Sequence, residues 1–71
     1  MSVARITEIS ASSSKSFDDA IQQGVQRATA TLRNVRSAWI KEQEVKVEND
    51  RILEYKVTMK VTFVLEDPTK Q

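Results

Sequence analysis

LEYKVTMKVTFVL, residues 53–65, places Leu53, Tyr55, Val57, Met59, Val61, Phe63 and Leu65 at every second position, with Glu54, Lys56, Thr58, Lys60 and Thr62 between them. Side chains alternate between the two faces of a strand, so this stretch predicts one long β-strand with an apolar face and a charged or hydroxylated one. Just before it, Asn49-Asp50 are two residues that tolerate positive φ, which predicts a tight hairpin turn. The stretch SAWIKEQEVKVE, residues 37–48, supplies the other arm. Its apolar residues change phase, because Ala38 and Ile40 are even-numbered while Val45 and Val47 are odd. A β-bulge or a sharp twist between Lys41 and Glu44 would return all four to one face.

Further toward the N-terminus the period lengthens. Ser16 precedes Phe17, Asp18 and Asp19, an N-cap hydroxyl followed by carboxylates in the first turn, so a helix is predicted to start at Phe17. Phe17, Ile21, Val25, Ala28, Leu32 and Val35 follow at steps of four or three, which predicts one amphipathic helix of about five turns. Gly24, the single glycine, lies inside it at a cost of about 1 kcal/mol relative to Ala. Its placement predicts close packing of the helix backbone on the sheet. Residues 11–15 read as a loop and VARITEIS, residues 3–10, as a first strand. The expected fold is α+β, in the order βαββ, as a single domain over residues 1–71 with its core at 3–67 and a tail at 68–71.

At 71 residues the chain buries only about 60% of its unfolded surface, so stability needs reinforcement. It has no Cys and no His, which rules out disulfides and makes a zinc site improbable. A strand of about thirteen residues reaches roughly 43 Å and a helix of about eighteen roughly 27 Å, so one helix cannot cover the sheet. Unpaired edges of that length invite pairing, and a closed homo-oligomer is the expected solution. Eleven Lys and Arg balance ten Asp and Glu at a net +1, which argues against a nucleic-acid partner. No run is apolar enough to predict a membrane span or a secretory signal, so the expected location is cytoplasmic. Without histidine no triad hydrolase can be assembled, and a chain this short has little room to enclose a substrate; the expectation is a protein that is not an enzyme.

Two groups of residues stand out as candidates for binding. Trp39, the single tryptophan, points away from the subunit core if Ala38 and Ile40 face the helix. It reads as an interface anchor, as a stacking platform for a planar ligand, or as a core residue. Glu42, Glu44, Glu48 and Glu54 alternate with Lys41, Lys46 and Lys56, a pattern common on solvated faces. In a symmetric oligomer, however, one carboxylate per subunit becomes a ring of carboxylates.

Taken together, the βαββ order, SFDDAI at 16–21, RATATLRNVR at 27–36, KEQ at 41–43 and EYKVTMKVTFVLED at 54–67 resemble the dodecins, over roughly Val3 to Asp67. The resemblance implies a curved antiparallel sheet wrapped around the helix, and twelve copies assembled into a hollow shell of cubic symmetry. It also implies a flavin store or buffer, with flavins stacked in pairs on tryptophan at subunit contacts. The family's flavin region corresponds here to Ser37, Trp39, Gln43 and Lys56. The family's stacking Trp falls at Ser37, with Trp39 two residues on, about 7 Å along the strand. The ring-contacting Gln is replaced by Lys56, and an Arg of flavin-binding members by Glu44. SAWIKEQ, residues 37–43, is more similar to a calcium-binding subgroup. The resemblance therefore implies a shell that binds or sequesters cations such as calcium, with Glu42 and Glu44 as ligands. The alternative is binding and storage of flavin, FMN or riboflavin, with Trp39 as the stacking residue.

Overall fold

The computed structural model describes residues 3–65; the expected tail at residues 68–71 lies outside them. Strand β1 (Val3–Ser13), helix α1 (Phe17–Thr31), strand β2 (Val35–Glu48) and strand β3 (Arg51–Leu65) follow in the expected βαββ order. They form one antiparallel sheet, β1-β3-β2, with the hairpin's second strand in the centre. β3 earns that place by its unbroken alternation, which gives it an apolar row to bury and a polar row to leave outside. Val57, Met59 and Val61 are buried against Ala20, Gly24 and Ala28 of α1. Phe17 meets Tyr55 edge-on, ring centroids 5.2 Å apart, at the helix's N-terminal end.

Three local features differ from the expectation. The helix stops at Thr31 and does not run on through Leu32 to Val35: Leu32 is extended, at φ −110° and ψ 143°, and Asn34 turns the chain with φ 58°. Val35 is instead the first residue of β2, opposite Phe63. The apolar spacing misleads here because a strand residue happens to fall three positions after Leu32. The stop is carried by Asn34, a residue whose short polar side chain tolerates left-handed backbone. The first strand continues to Ser13, because Ala11, Ser12 and Ser13 pair with Val57, Lys56 and Tyr55, so pairing overrides the weak strand preference of a serine-rich run. At the other end, β3 begins at Arg51.

The hairpin forms as expected, with Asn49 at φ 54° and Asp50 at φ 62°, the signature of a type I′ turn. The expected bulge falls at Lys41, between the pairs Ile40–Met59 and Glu42–Thr58. Further irregularities lie at Arg36 and between Lys46 and Val47. The bulge returns Ala38, Ile40 and Val45 to the helix-facing side, opposite Val61, Met59 and Tyr55.

Beyond the helix the β2–β3 hairpin continues as an arm. The principal extents are 56 × 18 × 13 Å and the radius of gyration is 14.9 Å, against about 11 Å for a compact domain of this length. Val45, Val47, Ile52 and Leu53 on that arm are exposed.

Candidate functional site

The sheet has two faces. The inner one carries the helix; the outer one carries the candidate residues. Because β3 presents its even-numbered residues outward, the register reads the outer face directly. Ser37 stands opposite Thr62, Trp39 opposite Lys60, Glu42 opposite Thr58, Glu44 opposite Lys56 and Lys46 opposite Glu54. From β1, Ile6, Glu8, Ser10 and Ser12 face Thr62, Lys60, Thr58 and Lys56.

The bulge at Lys41 is what assembles this surface. In an unbroken strand Trp39 and Glu42, three residues apart, would point to opposite faces; the extra residue places Ser37, Trp39, Glu42 and Glu44 side by side. Lys56 joins them from the central strand. Gln43 does not: it pairs with Val57 and lies on the helix-facing side, out past the helix, where it is exposed.

Trp39 points away from the core, at 63% exposure. Its ring is not bare. The Lys60 ammonium stands over it, with Nζ 5.4 Å from the ring centroid, a cation held by the negative face of the π-system. On the far side of β3, Glu8 accepts from Lys41 Nζ at 3.4 Å, so the bulge residue reaches across the central strand to β1. Lys60, Glu8 and Lys41 are participants that the sequence reading did not single out. Spacing alone does not find them: counting outward from the turn with one extra residue at position 41 brings Met59 opposite Trp39, and only the second irregularity, which leaves Leu53 unpaired between Val47–Ile52 and Lys46–Glu54, brings Lys60 there.

Among the described residues no group of three or more Asp, Glu, His or Cys side chains is positioned to hold a metal ion. Glu42 and Glu44 supply two carboxylates on one face, and Glu44 looks across at an ammonium. Calcium takes six to eight oxygen ligands, so these residues fit calcium only as part of a set completed by other oxygens.

One further concavity lies between α1 and β1, a groove of about 520 Å³ with Ile9, Ala11, Gly24, Ala28 and Leu32 among its lining. Arg27 is the single ionisable side chain lining it. No pair of acid–base groups converges there. Among the described residues no helix is long and apolar enough to cross a membrane.

Comparison with known proteins places this geometry. A search of curated proteins returned no match. Among solved structures, a dodecin from Streptomyces davaonensis is similar at 33% identity over 93% of this chain and 97% of that one, with a TM-score of 0.87. An arginine-to-alanine variant of the T. thermophilus dodecin is similar at 30% identity, covering 94% of this chain and all of that one, with a TM-score of 0.88. The calcium dodecin of Mycobacterium tuberculosis, a calcium-chelating immunodominant antigen with a calcium-binding site, is similar at 26% identity over 97% of both chains, with a TM-score of 0.78. The Dodecin family model matches residues 3–66, nearly the whole sequence. With its βαββ order, its single helix and its hairpin-centred sheet, this chain belongs to the dodecin family.

Proposed function

We propose that this chain is the subunit of a closed homo-oligomeric shell, twelve copies as its family implies, which binds and stores a small ligand in the cytoplasm and catalyses no reaction. The observation that carries the reading is the imbalance of apolar surface. Among the described residues five apolar ones are buried, Ala20, Ala28, Val57, Met59 and Val61, while eight large ones, including Val47, Ile52 and Leu53, are exposed. Apolar surface in that proportion marks contact with other copies. Both sheet edges, β1 and β2, also have backbone groups with no partner strand among the described residues.

The ligand we favour is a cation, calcium foremost. Glu42 and Glu44 share the outer face, and symmetry would multiply them around an axis until the oxygen count suits a hard cation. The similarity to a calcium dodecin supports this reading. A second reading, flavin stacked on Trp39, is favoured by the exposed indole on the same face.

Native mass spectrometry of protein purified without added flavin or calcium tests both. A species of twelve times the 8.1 kDa subunit mass is expected, carrying small cation adducts. Flavin-sized increments on that species would favour the second reading. A monomer or dimer as the largest species overturns the shell.

A further inference from the structure

The contact between Lys60 and Trp39 has a chemical consequence for any ligand of this face. Lys60 Nζ occupies a position over the indole, 5.4 Å from its centroid. The neighbour of Lys60 on β1, in register, is Glu8, which could have neutralised it. Glu8 instead binds Lys41, in the one ion pair among the described residues. Among the described residues the charge of Lys60 is therefore balanced by an aromatic face and by no carboxylate, while Trp39 remains 63% exposed.

We propose that Trp39 and Lys60 together form a recognition element for planar aromatic anions, in which the ligand ring stacks on Trp39 and its carboxylate, sulfonate or phosphate group pairs with Lys60. The proposal rests on the reading of Trp39 as a stacking residue and assigns the specificity to Lys60. A neutral ring that takes the place of the ammonium forfeits the cation–π contact and offers nothing to replace it. A cationic ring adds repulsion. An anionic ring lets the ammonium swing from the indole to the ligand's charge and form a charge-assisted hydrogen bond. Lys41 adds little, because Glu8 already answers its charge.

The test uses the assembled, ¹⁵N-labelled protein, in which the indole N–H of the single tryptophan gives one isolated signal. Three probes share one ring and differ in charge: 2-naphthoate, 2-naphthamide and 2-naphthylmethylammonium. The indole signal should titrate with 2-naphthoate at a Kd about threefold to tenfold below that for 2-naphthamide, as suits an ion pair at a partly exposed site, with the ammonium probe weakest. Added salt should shrink the preference. Lys60→Gln should level the three affinities, Lys60→Glu should invert their order, and Lys46→Gln, farther along the same face opposite Glu54, should leave the order intact. Equal affinities for 2-naphthoate and 2-naphthamide in the unaltered protein, or a preference that survives Lys60→Gln, overturns the role of Lys60 and leaves stacking on Trp39 standing. An indole signal that moves with none of the probes overturns the proposal and the stacking reading together.

Discussion

Gly24 and Met59 are in direct contact across the helix–sheet interface. A Cβ added to Gly24 would stand 2.8 Å from Met59 Cε and 3.2 Å from the Cβ of Ala11. The end of the Met59 side chain can turn away, but Ala11 is fixed to its strand. Gly24→Ala gains about 1 kcal/mol in helix propensity and loses about 1–3 kcal/mol to overpacking, so a modest net destabilisation is expected in chemical denaturation. Combining it with Met59→Leu removes the Cε that conflicts. The double variant should be less destabilised than the sum of the two single ones, and strict additivity would mean that the two residues do not press on each other.

Met59 itself is fully buried at the centre of the core. Met59→Ala should cost about 2–5 kcal/mol, enough to unfold a subunit of this size outside its assembly. Circular dichroism of the variant at low protein concentration reads this directly. A native-like spectrum and melting point would show that assembly, and not the core, holds the fold.

Ser13 ties the end of β1 to the start of α1. Its hydroxyl donates to Asp19 Oδ2 at 2.6 Å and accepts from the Lys15 backbone N–H at 2.9 Å; Gln23 Nε2 also donates to Asp19 at 2.6 Å. The hydrogen bond from Ser13 and then that from Gln23 favour the ionised form, holding the Asp19 carboxyl below its ordinary value of 3.8. A lowered folded-state pKa adds stability that is fully present above the unfolded value and is lost as pH falls through the folded one. Stability should therefore decline with acidification from just above pH 3.8 downward. Ser13→Ala should flatten that decline as well as lower the melting temperature at neutral pH. An unchanged acid limb would remove Ser13 as the cause.

Ser16 caps the helix through its side-chain oxygen, which accepts from the Asp19 N–H at 3.0 Å. Ser16→Ala should cost about 1 kcal/mol and Ser16→Asp very little, as read by denaturant midpoints at constant slope.

Calcium binding, if it uses the outer face, should depend on Glu42 and Glu44 together. Calorimetric titration of Glu42→Gln and Glu44→Gln should show weakened binding in each, because a hard cation loses a charged oxygen with either change. Heats identical to those of the unaltered protein would exclude both residues as ligands.

Much of this architecture could be read without coordinates. The alternation of residues 53–65 determines a strand, Asn49-Asp50 its turn, Ser16 the helix start, and the phase change between Ile40 and Val45 requires a bulge or a sharp twist. Each is a local consequence of backbone geometry, and each was found in place. Three element bounds differ from that reading: the start of β3 is set by the pairing of Arg51 with Glu48, and the ends of α1 at Thr31 and of β1 at Ser13 are set by competition. Leu32 and Val35 fit a helical period, yet Asn34 reverses the chain so that Val35 can pair with Phe63; residues 11–13 lack strand preference, yet β3 offers them partners.

The outer face belongs to the tertiary structure alone. That Trp39 and Glu42 share a side depends on the bulge falling at Lys41, and that Lys60 lies over Trp39 while Lys41 takes Glu8 depends on β3 running between β1 and β2. Periodicity tells which residues of one strand point the same way. It does not tell which residues of other strands stand beside them, because that is set by strand order and register, which are fixed only when the helix seats on the sheet and the buried rows of all three strands come into line.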